Sequence, residues 1–359
     1  MRLFRIACEV VRPRAPRWAT TIDVHNRSVT NPAAPDRDRV VPQPPDDGER
    51  ADIPPTGGGV QERAFGGAPD LIAMQRAVQR TWTPDSHWHI GDLAWQRPSL
   101  SGRKIALWPG PGDAVEAWAW FSPPGSLELH APPSRVNAVL SWFDMTAGDG
   151  KQTVTAMDTD EVLAAALLEA GYREVDKPFF RHCLHQLDRQ LPTPRLPSGY
   201  RARAIRPGEM AERAAVHRAA WRPKWLGRLQ VPPVDLGDGQ SGMTTERYEL
   251  VATTWPYQRD LDQVIEAPDG TLVASALGWY DEVNRVGLLE PVGTDPRHAR
   301  RGLGAAVSLA CLHAMRDAGA TLAVVCPRGD AAYPVPRTLY HRIGFRDAGR
   351  TVTYSRTAG

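Results

Sequence analysis

From about Pro69 onward, apolar positions return along the chain in two alternating rhythms, three to four residues for helices and two for strands. The first half predicts a helix over Leu71–Arg80 and strands at His87–Gln96, Arg103–Leu107, Ala114–Phe121 and Ser126–His130. A helix (Ser134–Met145), a strand (Thr153–Met157), a helix (Thr159–Ala170) and a strand pair (Tyr172–Asp176, Phe179–Gln186) complete it. The second half repeats the order: strand Tyr200–Ile205, helices Pro207–Trp221 and Thr244–Thr254, and strands Asp262–Ala267, Thr271–Tyr280 and Arg285–Thr294. A helix (Leu303–Ala318), a strand (Thr321–Cys326), a helix (Val335–Ile343) and a closing strand pair (Phe345–Ala348, Thr351–Arg356) end it. The expected fold class is α/β with mixed sheets flanked by helices.

The two tails can be laid over each other. Leu167-Leu168-Glu169-Ala170-Gly171-Tyr172-Arg173-Glu174 corresponds to Tyr340-His341-Arg342-Ile343-Gly344-Phe345-Arg346-Asp347. In each, a helix ends on a glycine suited to a left-handed cap, and an aromatic residue opens a strand. This reads as a diverged internal duplication. The expected division is a tail over 1–66, a first domain over 67–190, a linker over 191–199 and a second domain over 200–359. The tail mixes Pro, Arg and Gly without a period and is expected to be disordered. In the linker, Pro192, Pro194 and Pro197 hold the chain extended.

Composition adds limits. Forty-three basic and 41 acidic side chains leave a formal charge of +2, with no basic stripe interleaved with aromatics, so nucleic acid is not an expected partner. Arginine dominates the positive charge, and with abundant Ala, Pro and Gly this suggests a GC-rich bacterial genome. Cys8, Cys183, Cys311 and Cys326 form no paired ligand set, so no metal is expected. No apolar run is long enough to span a membrane, and Ile6-Ala7-Cys8 is too short for a signal-peptide core before Glu9. A cytoplasmic location is expected.

The chemistry concentrates in Glu290-Pro291-Val292-Gly293-Thr294-Asp295-Pro296-Arg297-His298-Ala299-Arg300-Arg301-Gly302-Leu303-Gly304-Ala305. Here an apolar strand ends in an arginine-rich loop that becomes a helix start. Gly302 and Gly304 let an anion approach the backbone, and the free N–H groups of a first helical turn bind it. A packed turn with merely solvated arginines is the plain alternative.

Strand–Val-Gly-Thr–Arg-Arg-Gly-Leu-Gly-Ala–helix, followed by Leu339-Tyr340-His341-Arg342-Ile343-Gly344-Phe345, resembles the GCN5-related N-acetyltransferase (GNAT) superfamily across the second half. The resemblance implies two tandem, V-splayed domains, with acyl-CoA, expected to be acetyl-CoA, between the fourth and fifth strands of the second. It implies that Val292, Gly293 and Thr294 pair with the pantetheine arm, and that Arg300, Arg301, Gly302, Leu303, Gly304 and Ala305 hold the pyrophosphate. Ala299 departs from the pattern, where Gln or Arg is usual. By the same resemblance Glu290 is the base for an amine acceptor and Tyr340 the proton donor to the leaving thiolate. Glu290 should share a strand face with Val292 and Thr294 by two-residue alternation; the plain readings are an edge carboxylate for Glu290 and a packing role for Tyr340. Cys326 is expected to be inert and His341 to lie on the surface. Trp221, Trp225, Trp255, Trp279 and Tyr280 are candidate walls for an acceptor, with core packing as the plain alternative, and the insertion Trp225–Gly242 is a candidate lid.

The first half lacks the cradle. Its counterpart, Leu127-Glu128-Leu129-His130-Ala131-Pro132-Pro133-Ser134-Arg135, has two prolines where N–H donors would be needed. It is expected to be a cofactor-free copy that supports the second half. A module that binds CoA without turnover is the alternative function.

Overall fold

The structure, a computed structural model, describes residues 61–358 except 229, 231, 234, 235, 237, 238, 330 and 332. Most of the expected tail, and part of the 225–242 insertion, therefore lie outside the described residues. The first half runs β1 (Arg63–Ala64), α1 (Ala68–Thr81), α2 (Ile90–Gln96), β2 (Lys104–Pro109), β3 (Val115–Ser122), β4 (Ser126–His130), α3 (Val136–Ala147), β5 (Gly150–Met157), α4 (Glu161–Glu169), β6 (Arg173–Val175) and β7 (Arg181–Gln186). The second runs β8 (Arg201–Ala204), α5 (Met210–Ala220), α6 (Pro223–Arg228), α7 (Thr245–Ala252), β9 (Asp262–Glu266), β10 (Leu272–Asp281), β11 (Val286–Thr294), α8 (Leu303–Asp317), β12 (Leu322–Val325), α9 (Val335–Arg342) and β13 (Arg346–Ala358).

Thirteen strands form one mixed sheet, in the order β1-β2-β3-β4-β5-β13-β7-β12-β11-β10-β9-β8, with β6 also on β13. Within it the halves exchange strands. Residues 183–186 of the first half pair antiparallel with β12 of the second. Residues 351–358 of the second half pair antiparallel with β5 of the first. Each half thus supplies the strand that flanks the other's fifth strand.

The expected closing pair at 345–348 and 351–356 is therefore one continuous strand. Its early residues pair with β7 and its later ones with β5 and β6, the register shifting between Asp347 and Gly349. Likewise β6 and β7 do not pair with each other: both run antiparallel along β13, β6 beside 353–355 and β7 beside 346–350.

A second difference lies at 87–96, where the expected strand is the helix α2. His89 starts it, its ring accepting from Gly91 N at 3.0 Å while Asp92 accepts from His89 N at 2.8 Å. This reciprocal cap closes a turn whose Ile90, Leu93 and Ala94 are all buried at helical spacing. Gly91 is needed because a Cβ there would come within 2.3 Å of Trp279 on β10, so α2 seals the two halves together. The short helix α6 was not expected.

The two tails do share their local geometry. Tyr172 N donates to Leu167 O and Gly171 N to Leu168 O, while Phe345 N donates to Tyr340 O and Gly344 N to His341 O. Both glycines have positive φ, 84° and 114°, as this helix end requires.

One buried network fixes the second half. Arg213 of α5 donates through Nε to Asp262 Oδ1 at 2.8 Å, both side chains being fully buried. Tyr248 and Tyr257 donate their hydroxyls to the other oxygen of Asp262, tying α5, α7 and β9 together. Removing the carboxylate would leave an unpaired guanidinium out of water. We expect Asp262→Ala to cost about 3–5 kcal/mol in urea unfolding, and a loss under about 1 kcal/mol would contradict this role for the pair.

Candidate active site

The site begins where two parallel strands part. β11 and β12 pair only through Val286–Leu288 and Leu322–Val324. Beyond that point β11 bulges: Leu289 pairs with Gly278 and Val292 with Ala276 of β10, so Glu290 and Pro291 together oppose Leu277. Pro291 has no N–H to give to a ladder, which suits it to the extra position. Trp279, buried beneath, donates its indole N–H to Glu290 O at 2.7 Å and anchors the bulge. The strict alternation expected for Glu290, Val292 and Thr294 is broken here, and the consecutive residues Leu289 to Val292 all face one pocket.

A cleft of about 810 Å³ runs along the end of β11 to the start of α8. The structure brings Val292, Gly293, Thr294, Arg300 and the run Gly302-Leu303-Gly304-Ala305 to its walls. Gly302 is the N-cap of α8 in the left-handed region (φ 77°), with no capping side chain. The first backbone bond of the helix is donated by Ala306 N to Gly302 O at 3.0 Å. The N–H groups of Leu303, Gly304 and Ala305 precede it, in the turn that has no intrahelical acceptors. Arg301 is placed differently: its guanidinium donates to Tyr200 OH at 2.8 Å and does not line the cleft. The loop is held by Asp295, which accepts from Arg297 N at 2.9 Å and is ion-paired to the Arg297 guanidinium.

The opposite wall is α5. Gly293 permits its approach, since a Cβ at that position would lie 2.6 Å from Ala220 Cβ. His217, one turn earlier, faces the cleft. Burial, helped by Arg213 and Arg218, lowers its pKa to about 3, so the imidazole is neutral at neutral pH.

A smaller pocket, about 90 Å³, opens beside the cleft. Glu290, Cys326, Arg328 and Tyr333 line it, with Leu226 and Leu236 from the insertion and Pro178 and Phe180 from the first half. Tyr340 lines both spaces and so stands at their junction. Its ring is only 7% exposed and packs edge-on against Phe345 at 5.7 Å. Burial, then the Glu290 carboxylate, pushes the phenol pKa far up, and it holds its proton at neutral pH. Tyr333 beside it is pushed up to about 12 by burial, with Arg328 opposing.

Trp221 also borders both spaces, whereas Trp225 is 37% exposed on α6. His341 Nε2 lies 2.7 Å from Asp347 Oδ1, and the residue lines neither the cleft nor the pocket. Cys183, His341 and Asp347 have donor atoms within 4.8 Å of one another. Arg181 and Arg337 already pair with that carboxylate, which makes the group an ion-pair cluster hostile to a further cation. Phe180, Arg328 and Tyr333 were not expected at the site. No periodicity could have placed Phe180 there, because its position depends on the strand exchange.

Residues 270–354 match the family described as FR47-like protein. No curated protein matches the chain by sequence. Among solved structures, a GCN5-related N-acetyltransferase from Sphaerobacter thermophilus is similar at 20% identity, over 83% of this chain and 95% of that one, with a TM-score of 0.50. A tandem GNAT protein from the clavulanic acid biosynthesis pathway is similar at 16% identity, over 83% and 98%, with a TM-score of 0.55. A GNAT-family acetyltransferase from Colwellia psychrerythraea is similar at 12% identity, over 82% and 99%, with a TM-score of 0.53. At these identities the likeness is one of fold. Residues 270–354 thus match the FR47-like family, and the fold of the chain is similar to that of GCN5-related N-acetyltransferases.

Proposed function

We propose that the chain is an acyl-CoA-dependent N-acyltransferase, with acetyl-CoA as the donor to test first and a primary amine of a small molecule or peptide as acceptor. The observation that carries this reading is the position of Tyr340, a protonated phenol at the junction between the glycine-lined cleft and the pocket that holds Glu290. The cleft has the chemistry a nucleotide diphosphate needs: amides of a first helical turn, glycines that admit close approach, and Arg300 on its wall. Val292 to Thr294, past the last pairing with β12, offer backbone groups to a pantetheine arm. The donor supplies an activated thioester carbonyl; the chain's residues do the rest.

Glu290 takes the proton of the attacking amine as the new C–N bond forms. Tyr340 gives its proton to the departing sulfur as the C–S bond breaks. The two groups return to their starting states by exchange with solvent. General acid and base catalysis of this kind contributes about 10²–10⁴-fold each. The first half takes a supporting part in this reading. Its equivalent segment, between β4 and α3, carries Pro132 and Pro133 where amide donors would be required.

Glu290→Gln and Tyr340→Phe should each lower kcat/KM by about 10²–10⁴-fold in a thiol-release assay, while CoA affinity by calorimetry stays within about twofold, a change too small to signal a lost contact. Unchanged rates would remove both residues from the chemistry. CoA retention without turnover of any amine would point to a binding module instead.

The α5 contact gives a separate test. Gly293→Ala should destabilise the protein by about 1–3 kcal/mol through overpacking and weaken CoA binding, since neither Cβ can yield. Adding Ala220→Gly should restore part of both losses. A double variant no better than the single one would show that the contact does not shape the cleft.

A further inference from the structure

One imidazole in the wall of the large cleft is buried without a hydrogen bond. His217 is only 9% exposed and lines the cleft one turn before Ala220, the residue that limits Gly293. Its ring stands edge-on to Trp95 of α2, the centroids 5.4 Å apart. Among the described residues neither ring nitrogen has a hydrogen-bond partner. Neither is sealed inside the protein, and the open space beside this turn of α5 is the cleft. A buried polar group left unpaired costs free energy, which a ligand atom reaching it would recover.

The surroundings of the ring decide what kind of atom that is. Burial, with Arg213 and Arg218 adding to it, keeps the imidazole uncharged at neutral pH. An uncharged imidazole carries one donor and one acceptor, the same set as an amide. A phosphate wants cations or several converging amides, and the cleft offers those elsewhere, at Arg300 and the start of α8. His217 lines the cleft and not the pocket of Glu290, so it belongs to the donor's side of the site. It shares that cleft with Val292, Gly293 and Thr294, whose backbone pairs with β10 on one edge and is past the last pairing with β12 on the other.

Resting on the acyl-CoA reading of the cleft, we propose that His217 binds an amide of the donor's pantetheine arm through its unpaired ring nitrogens. The arm carries uncharged amides that lose water when they enter the cleft, and an amide buried without a replacement bond is penalised. The free edge of β11 can serve such groups from one side and His217 from α5. Trp95 packs on the ring and comes from the first half of the chain, so the half without a glycine cradle takes part in holding the donor.

The test uses three probes on the full chain, measured by calorimetry: CoA, phosphopantetheine and ADP. His217→Leu, which keeps the bulk of the side chain and removes its nitrogens, should weaken CoA and phosphopantetheine by about tenfold, or roughly 1.4 kcal/mol. Its affinity for ADP should stay within about twofold, which also shows that the variant is folded. His217→Gln, an uncharged side chain with a donor and an acceptor, should recover part of the loss. A variant-free measurement stands beside these: with nitrogen-labelled histidine in the wild-type chain, phosphopantetheine should shift one imidazole that ADP leaves in place. Unchanged phosphopantetheine affinity in His217→Leu, an equal loss for ADP, a glutamine variant no better than the leucine one, or no such imidazole signal would overturn the proposal. A wild-type chain that binds none of the three probes would overturn the acyl-CoA reading, and this inference with it.

Discussion

The site depends on one interruption: β11 and β12 cease to pair after Leu288 and Val324. Backbone groups that a continuous sheet would consume are turned outward on both strands. The bulge at Glu290 and Pro291 makes the parting, because two residues of β11 answer one of β10 and the proline cannot donate. Every other feature of the site is arranged around that gap. Trp279 holds the bulge from below, α5 closes against Gly293 from one side, and Gly302 turns the chain into α8 at its far end.

Rigid walls are needed for such a gap to persist. α5 is held by the fully buried Arg213–Asp262 pair and its two tyrosines. The strand beside β12 is borrowed from the first half, and the last strand of the chain repays the loan by completing the first half's sheet. The exchange makes each half's sheet dependent on the other. It also carries Pro178 and Phe180 to the edge of the small pocket, so the first half contributes directly to the wall of the site.

Local chemistry was legible in the sequence wherever it depended on neighbours in the chain. The glycine-capped helix start at 302–305, the paired helix ends at Gly171 and Gly344, and nearly every strand could be read from period and turn chemistry. Readings failed where distant contacts decide. The segment 87–96 looked extended because its aromatics and histidines suit strands, but the His89–Asp92 cap closes it into a helix against Trp279. The two closing strands are one, because β13 passes from one partner to another without a turn. Alternation misplaced the faces around Glu290, since a bulge adds a residue that no period announces. Charge and the resemblance group Arg301 with the cradle, while its guanidinium turns to Tyr200, about a hundred positions away in the chain. Phe180 and Arg328 had no signal at all: they meet only through the strand exchange.

The most direct test is a crystal structure of the chain with CoA. The diphosphate should lie within hydrogen-bonding distance of the amides of Leu303, Gly304 and Ala305, and the pantetheine arm along Val292 to Thr294 with its sulfur near Tyr340. CoA bound elsewhere on the molecule, or a cleft that stays empty at millimolar CoA, would contradict this placement.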